Sequence, residues 1–395
     1  MLEVKVDVLI IGAGAAGLLC ASRAGARGKK TIVVDHAKRP GKKILISGGG
    51  RCNFTNYNIE PEKFICKNPH FCKSALSQYT QWDFIALVEK YNIAYHEKTL
   101  GQLFCDDSAK DIVSMLMSEC KSNNIDFSFQ TDVVKVSKTE TGYSVETNKG
   151  NIDCESLVIA SGGLSMPKLG ATPIAYKIAE QFGLNVLPTR AGLVPLTLPL
   201  ELKEQLAETS GVSMDVEVTS NNVSFNEGML ITHRGLSGPA ILQVSSYWES
   251  GDEVSIDLDP QNLFKSSFEN ILPEESNQTL KNFLANNFAK KFVEKFLNIR
   301  NLPNIPLKQL SHKEKELLVS SIKNWTIKPS GSEGYRTAEV TIGGVDTDQL
   351  SSKTMEVKDH NGLFFIGEAV DVTGWLGGYN FQWAWSSGFV AGSNV

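Results

Sequence analysis

The sequence predicts an α/β protein in which both ends of the chain contribute to one parallel sheet and an insert separates them. Residues 4–35 have the pattern of a strand, a glycine-rich turn, a helix and a second strand, which together make a βαβ unit. Residues 125–160 alternate strand-like runs with turns, and residues 363–378 run from an apolar strand into a glycine-rich loop. These three segments predict one dinucleotide-binding domain that the chain leaves and later re-enters.

The βαβ unit carries the spacing Gly12-x-Gly14-x-x-Gly17, and Asp35 ends its second strand. In such a unit Gly12 permits a tight turn, Gly14 lets the backbone approach a pyrophosphate, and Gly17 lets helix pack on strand. Ala15 opens the helix, whose N-terminal N–H groups and dipole favour an anion. Asp35 is expected to accept hydrogen bonds from an adenosine ribose. The pattern predicts a dinucleotide site and leaves NAD and FAD both open.

Changes in residue pattern along the remaining chain predict four segments. At 395 residues the chain is too long for one ordinary core. Residues 1–190 are expected to form the first part of the dinucleotide domain. Residues 191–258 read as a β-rich insert on the substrate side, 259–330 as a small helical cap of that insert, and 331–395 as the return to the first domain.

Composition narrows the class of protein. The charged fraction of 21% and the hydrophobic fraction of 42% are those of a folded protein. The net charge of −5 means that overall electrostatics does not attract the protein to nucleic acid or to an anionic membrane. The seven cysteines show no C-x-x-C pair and are odd in number, which is typical of reduced thiols in the cytoplasm. We therefore expect a cytoplasmic protein without a membrane span. No side chains have the spacing of metal ligands, and no metal is expected.

Later loops favour FAD, because the longer cofactor also needs polar, glycine-rich segments around its ribityl chain and ring. The predicted contacts lie in residues 41–56, in the meander, after its last strand and near the C-terminus: Lys43, Ser47, Gly49, Arg51, Asn53, Val133, Ser161, Gly162, Gly367, Glu368, Gly377, Gly378, Tyr379, Asn380 and Phe381. Glycines in the first loop allow close backbone approach. The Gly377-Gly378 turn can aim a helix N-terminus at the reduced flavin.

Five segments together resemble a known family: GAGAAGL, SGGGRCNFTN, HRGLSGPA, TAEVTIGGVD and GWLGGYNFQWAWSSG. In this order they are similar to the bacterial flavoproteins of the aminoacetone-oxidase or bile-acid-reductase type. Three further segments, NPHFCKSAL, HEKTLGQLFCDDSAKDIV and GYRTAEVT, are most similar to gammaproteobacterial ribosomal RNA dihydrouridine synthases. The resemblance implies a glutathione-reductase-type Rossmann FAD-binding domain interrupted by a β-barrel-like insert and a helical cap. It also implies an FAD-dependent oxidoreductase, with reduction of uridine in large-subunit ribosomal RNA as the leading reaction.

Three side chains are candidates for chemistry beyond the cofactor. Cys52 follows Arg51, whose charge would lower a thiol pKa, so that Cys52 could protonate a substrate carbon; a small residue packed under the ring is the alternative. His233 could present a cation to substrate, or make only a loop contact. Arg336 precedes Gly343-Gly344 and is expected on the substrate face, with a structural salt bridge as the alternative.

The expected reaction has NADH or NADPH as a transient reductant, after which the flavin passes hydride to a C=C bond. Cationic residues concentrate in the helical cap and could meet ribosomal RNA, although lysine-rich helix faces are often merely solvated: Lys281, Lys290, Lys291, Lys295, Arg300 and Lys308. Two rival functions remain open at this point. One is an amine or aminoketone oxidase that uses O2, and the other is a non-catalytic flavin-containing protein that binds RNA or the ribosome.

Overall fold

The computed structural model describes residues 3–270 and 276–395. They divide into two compact units, one made of the residues up to Arg190 together with Val340–Val395, the other of Ala191–Glu339. The second unit therefore extends past residue 331, where the sequence predicts the return. Its last residues stay with it because Gly331 and Ser332 pair with the strand at Leu196–Thr197, and the amide of Glu339 donates to Leu193. Residues 271–275 of the predicted cap lie outside the described residues.

The first part of unit 1 alternates strands and helices in the order that the sequence predicts for residues 4–35. The strands are β1 (Glu3–Ile11), β2 (Thr31–Asp35), β3 (Asn53–Asn56), β4 (Phe64–Ile65), β5 (Tyr95–Glu97), β6 (Gln102–Cys105), β7 (Asp126–Phe129), β8 (Val133–Lys138), β9 (Tyr143–Thr147), β10 (Gly150–Ile159) and β11 (Val186–Gly192). The helices are α1 (Ala15–Ala26), α2 (Lys42–Ile46), α3 (Phe71–Gln78), α4 (Gln81–Lys90), α5 (Ala109–Ser122) and α6 (Ile174–Gln181).

Unit 2 is a sheet with helices between its strands. Its strands are β12 (Leu196–Thr197), β13 (Ser213–Ser220), β14 (Val223–Ile231), β15 (Gly235–Ser237), β16 (Val254–Asp257), β17 (Trp325–Ile327) and β18 (Gly331–Ser332). Its helices are α7 (Leu200–Gln205), α8 (Pro239–Ser245), α9 (Leu263–Asn270), α10 (Leu280–Leu284), α11 (Lys290–Ile299) and α12 (His312–Lys323). The antiparallel strand order is β17-β16-β13-β14-β15-β12-β18, so β17, expected within the cap, belongs to the sheet.

The return segment supplies β19 (Val340–Val345), β20 (Leu363–Phe365), β21 (Thr373–Gly374) and α13 (Tyr379–Asn394). Single-turn 3-10 helices lie at Ser47–Gly50, Pro61–Lys63, Pro167–Leu169, Ala207–Thr209, Leu307–Gln309, Thr347–Gln349 and Gly367–Ala369. In the main sheet the order is β7-β2-β1-β10-β9-β8, with β20 on β10. Strands β7, β2, β1, β10 and β20 are parallel, and β8 and β9 form the antiparallel meander. Their continuous apolar runs, such as Val8–Ile11, are buried, as expected of a parallel sheet covered on both faces.

Helix α13 lies directly on α1. A Cβ at Gly388 would come within 2.5 Å of the Ala16 carbonyl oxygen, and one at Gly392 within 2.5 Å of the Cys20 oxygen. Glycines four residues apart share one helix face, so they let the two backbones touch. The contact places the second half of α13 against the first turns of α1.

Candidate functional site

The turn between β1 and α1 is as tight as the glycine spacing predicts. Gly12 has a φ of 114°, and a Cβ there would lie 2.5 Å from the Ala160 oxygen. A Cβ at Gly17 would lie 2.0 Å from the Gly12 oxygen, so helix and strand meet at that point. Around Gly14, by contrast, a Cβ would meet no heavy atom within 4 Å. Gly14 is therefore the one of these glycines whose missing side chain leaves room for a ligand.

Asp35 closes this turn from the end of β2. One of its carboxylate oxygens accepts from the Ala13 amide at 2.7 Å and the other from the Ala37 amide at 2.7 Å. An ionised carboxylate can accept about four hydrogen bonds. The side chain, 16% exposed, therefore keeps acceptor capacity for hydroxyl groups such as those of a ribose.

A cavity of about 400 Å³ opens beside the turn, within unit 1. Its walls include Gly12, Asp35, His36, Ser161, residues 131–136 around the start of β8, and the first turns of α6. The Ser161 hydroxyl is buried and has no hydrogen-bond partner among the described residues. Four of the predicted contacts, Gly12, Asp35, Val133 and Ser161, thus meet in one cavity, where an orphaned hydroxyl marks a missing polar partner.

These features fit the adenosine and pyrophosphate end of FAD. The cavity has the size of a small-molecule site, and a carboxylate and a hydroxyl line it. The open space at Gly14 adjoins the N-terminus of the 12-residue helix α1, whose N-cap Gly14 has no capping side chain. Free N–H groups and the helix dipole would meet a phosphate there.

The glycine-rich segment at residues 41–56 exposes main-chain atoms, as the sequence predicts. Gly48, Gly49 and Gly50 all have positive φ, and a Cβ at Gly49 or Gly50 would meet nothing within 4 Å. Ser47 uses its hydroxyl inside the loop, donating to the Ile44 oxygen at 2.8 Å. The loop therefore presents open backbone, and Arg51 at its end is exposed.

A polar network joins four segments of unit 1. The Lys43 ammonium lies 2.6 Å from a Glu368 carboxylate oxygen and 2.6 Å from the Ser165 hydroxyl. The other Glu368 oxygen accepts from the Ser165 hydroxyl at 2.8 Å and from the Thr341 amide at 2.8 Å. Two of the predicted cofactor contacts, Lys43 and Glu368, are thus brought together across the chain.

Thr341 completes the network from β19. Its buried hydroxyl accepts from the amides of Leu164 at 2.8 Å and Ser165 at 3.1 Å. The hydroxyl fixes the chain just after Gly162 and Gly163, while its amide fixes Glu368. Ser165 and Thr341 were not predicted from the sequence, because Thr341 lies in an apolar strand and Ser165 in a turn, with no local motif that links them.

The C-terminal glycine turn is tied to the first loop. A Cβ at Gly378 would lie 2.3 Å from the Thr55 carbonyl oxygen. The side-chain amide of Asn56 donates to the Gly377 oxygen at 2.9 Å, and the Thr55 hydroxyl donates to the side-chain oxygen of Gln382 at 2.7 Å. The Asn53 amide lies 3.2 Å from the Gln102 amide. The N-terminus of α13 therefore sits against β3, directly after the glycine loop.

The first side chains of α13 form hydrogen bonds with nearby backbone atoms. Asn380 exchanges two hydrogen bonds of 2.8 Å with the backbone of Gly374, and the Tyr379 hydroxyl donates to Asn58 at 3.0 Å. The helix N-cap, Gly378, has no capping side chain, so the first N–H groups, including that of Phe381, remain for a ligand. Further back, the Gly367 amide and carbonyl are held by Ser387 and Trp383, both at 3.0 Å.

The prediction that Arg51 lowers the pKa of Cys52 is wrong. Cys52 is fully buried, and burial raises the pKa of its thiol far above the usual range, although a hydrogen bond with Ser47 offsets part of the rise. The neighbouring Arg51 side chain is exposed and does not reverse this effect. A neutral thiol enclosed by the protein is the environment of a packing residue.

His233 and Arg336 lie in unit 2, and both are exposed. The residue after His233, Arg234, forms an ion pair, with its guanidinium 3.0 Å from the Glu333 carboxylate. On either side of Arg336, the hydroxyls of Tyr335 and Thr337 are buried without a hydrogen-bond partner among the described residues. Unpaired buried hydroxyls are rare in folded proteins, so this segment stands out.

Most of the cap cations have partners within unit 2. Lys281 pairs with Glu294 at 2.6 Å, and Lys295 with Glu208 at 3.0 Å. Lys291 donates to the Ser210 oxygen and Arg300 to the Ser321 hydroxyl. Within the described ranges, the exposed side chains of Lys290 and Lys308 have no such partner. Two of the six predicted cations therefore remain unpaired.

Over residues 3–270 and 276–395, no helix is long and apolar enough to cross a membrane. The same residues contain no group of three or more histidine, cysteine, aspartate and glutamate side chains arranged to hold a metal ion.

Comparison with known proteins agrees with the geometry. The family model described as "HI0933-like protein Rossmann domain" matches residues 6–394. The chain is 54% identical over 392 residues to the ribosomal RNA dihydrouridine synthase of Escherichia coli, covering 99% of this chain and 98% of that protein. It is 26% identical over 402 residues to the 3-dehydro-bile acid delta(4,6)-reductase of Clostridium scindens, covering 97% of each.

A solved structure shares the fold at low sequence identity. It is the 3-ketosteroid-delta4-(5alpha)-dehydrogenase of Rhodococcus jostii in complex with 4-androstene-3,17-dione, which matches with a TM-score of 0.50 and 11% identity. The match covers 98% of this chain and 97% of that one.

Proposed function

The chain belongs to the HI0933-like Rossmann family and is an FAD-dependent oxidoreductase, and we propose that it reduces uridine in large-subunit ribosomal RNA to dihydrouridine. The observation that carries the substrate assignment is the match of 54% identity along nearly the whole chain to a ribosomal RNA dihydrouridine synthase. The match covers 99% of this chain and 98% of that protein, so the proposed substrate is taken from a relative that aligns with the whole of both units.

The proposed reaction consumes one uridine, one NADH or NADPH and one proton, and yields dihydrouridine and the oxidised nucleotide. When bound, FAD supplies the two-electron chemistry that links the two substrates. The C5=C6 bond of uracil becomes a single bond, so one carbon receives hydride and the other a proton. We propose that the nicotinamide nucleotide docks only transiently, because the chain offers one dinucleotide fingerprint preceded by a credible strand.

Unit 1 would hold the cofactor along the series of contacts described above. Asp35 would bind the adenosine ribose, the amides at Gly14 and Ala15 the pyrophosphate, and Glu368, held by Lys43 and Ser165, the ribityl hydroxyls. The open backbone at Gly49 and the uncapped N-terminus of α13 would lie against the flavin. Each assignment uses an atom that can donate or accept a further hydrogen bond.

Substrate contacts are proposed in unit 2. Arg336 is exposed, and its guanidinium can bind a polar base or a phosphate. His233, also exposed, is proposed as a second contact. In the cap, Lys290 and Lys308 are the cations free to meet RNA phosphate. We withdraw Cys52 as the proton donor, since a fully buried neutral thiol does not reach substrate.

Anaerobic spectroscopy tests this proposal. The FAD-loaded protein is mixed with NADH or NADPH, and the flavin absorbance near its oxidised maximum is followed before and after addition of ribosomal RNA from cells that lack this gene. Reduction followed by RNA-dependent reoxidation is expected. Reduction without reoxidation would reject RNA as the substrate, and an oxidised flavin that responds to an amine instead would identify an oxidase.

A further inference from the structure

An exposed aromatic surface lies on unit 1 and consists of Tyr57, Trp82 and Leu100, here called the ledge. The rings of Tyr57 and Trp82 stack, with centroids 5.5 Å apart and planes 26° from parallel. Trp82 is 56% exposed and Leu100 63% exposed. One ring face of Trp82 is thus packed and the remainder of the indole faces solvent, while Leu100 lies in the turn at residues 100–101.

The ledge is fixed to the glycine turn that begins α13. The Tyr57 amide donates to the Gly101 oxygen at 2.8 Å, next to Leu100. The Asn56 side chain, 1% exposed, donates both to the Leu100 oxygen at 3.1 Å and to the Gly377 oxygen at 2.9 Å. A single buried amide therefore couples the ledge to the proposed flavin contact at Gly377-Gly378.

One cation close to Leu100 in sequence is free to meet a phosphate. The carboxylate of Glu97 accepts from the Gly101 amide at 3.0 Å, and that of Asp83 accepts from the amide and hydroxyl of Thr80, both at 2.7 Å, and both keep their negative charge. Lys98, in the same exposed turn as Leu100, has its ammonium 5.5 Å from the centre of the Phe104 ring. Among the described residues it has no carboxylate partner, so its charge is available.

We propose that the ledge binds an unpaired base of the RNA substrate next to the reacting uridine, with Lys98 meeting the adjoining phosphate. This proposal rests on the proposed function. A uridine must leave its stack to reach a flavin, and bases freed in this way are bound by stacking on aromatic side chains. Three side chains are far too few for a stable protein interface, which buries about 800 Å² per partner. A single base has a flat face that can stack on the exposed part of the Trp82 indole.

Binding of a labelled single-stranded oligouridine to the FAD-loaded protein, followed by fluorescence anisotropy, tests the ledge. Because stacking of one base contributes roughly a 5- to 150-fold change in affinity, Trp82→Ala should weaken binding about tenfold or more. Trp82→Phe, which keeps an aromatic face, should weaken it less than about threefold. Lys98→Ala should reduce the slope of log affinity against log salt concentration by about 0.7.

Leu200→Ala is the matched control, because Leu200 is 64% exposed in unit 2, away from the ledge in the sequence. It should bind the oligonucleotide like the wild type, and all four variants should keep FAD and thermal stability. Equal affinity of Trp82→Ala and the wild type would overturn the ledge proposal. So would a wild-type dimer, detected by light scattering, that Trp82→Ala abolishes, since the ledge would then be a contact between protein chains.

Dihydrouridine formation in ribosomal RNA separates the ledge proposal from the proposed function. If the wild type forms dihydrouridine and Trp82→Ala does so with an unchanged KM, the ledge proposal alone fails. If the wild type forms none under reducing conditions, the proposed function fails, and the ledge proposal falls with it. A raised KM with an unchanged kcat in Trp82→Ala supports both.

Discussion

Replacing Gly14 with alanine should leave the fold intact and weaken the binding of FAD. The added methyl group would meet no protein atom within 4 Å, and the Gly14 backbone, with φ −87° and ψ −167°, suits alanine. The methyl group would instead enter the space where the pyrophosphate is expected beside the N-terminus of α1. Gly17→Ala is the contrasting variant, because its Cβ would lie 2.0 Å from the Gly12 oxygen.

The expected magnitudes follow from these contacts. For Gly14→Ala, the weaker N-cap costs up to about 1 kcal/mol, and the reduced freedom of the unfolded chain returns about 0.4–1 kcal/mol, so the free energy of unfolding should change little. Loss of one charge-assisted hydrogen bond to phosphate costs about 1.5–3 kcal/mol, which corresponds to a roughly 10- to 150-fold weaker affinity for FAD. Gly17→Ala should lose about 3 kcal/mol of stability or more, because two backbones must separate.

Two measurements on the same preparations separate these effects. Urea unfolding of the FAD-free protein reports stability, and titration with FAD, followed by the quenching of flavin fluorescence, reports affinity. Stability close to the wild type with a weakened affinity is the expected result for Gly14→Ala. An affinity within about twofold of the wild type would refute the reasoning, since the pyrophosphate would then not lie against Gly14.

Three further predictions concern single side chains of unit 1. Cys52→Ala should keep FAD and reduce turnover less than about threefold, because the thiol is buried and its pKa raised; a loss of about 100-fold in the FAD-loaded variant would restore Cys52 as proton donor. Thr341→Val should weaken FAD binding and lower stability by about 2–4 kcal/mol, because the buried amide of Ser165 and the partly buried amide of Leu164 lose their acceptor, whereas Thr341→Ser should retain both hydrogen bonds. Equal behaviour of the two variants in FAD titration and urea unfolding would show that the hydroxyl is dispensable. Burial raises the pKa of Asp371, so the stability that its neutral form contributes is present below its usual pKa and is lost as pH rises through the raised value. The Tm of Asp371→Asn relative to the wild type should therefore increase between pH 4 and pH 8, and a relative Tm that falls over this range would contradict the assignment.

The sequence predicts most of the dinucleotide fold because the relevant signals are local. The strand before Gly12, the glycine spacing and the acid at the end of β2 all lie within residues 4–35, and each is fixed by turn geometry or close packing. The cavity then forms where Asp35 at the end of β2, Val133 at the start of β8 and Ser161 after β10 converge.

Other parts of the site depend on contacts between distant residues, which a single sequence does not reveal. Ser165 and Glu368 are 203 residues apart, and Leu164 and Thr341 177 apart, yet each pair is joined by a hydrogen bond. The wrong prediction for Cys52 has a similar origin. Its neighbour in sequence, Arg51, is exposed, whereas the thiol is enclosed by the core, so burial sets its pKa.

The most direct test of the proposed function is the formation of dihydrouridine itself. Ribosomal RNA from cells that lack this gene would be incubated anaerobically with the FAD-loaded protein and NADH or NADPH, digested, and examined by mass spectrometry, with Gly14→Ala at the same concentration as the matched control. The expected result is a large-subunit uridine that becomes heavier by two hydrogens with the wild type and far less so with the variant. Unmodified RNA, despite a flavin that the nucleotide reduces, would contradict the assignment of uridine as the substrate.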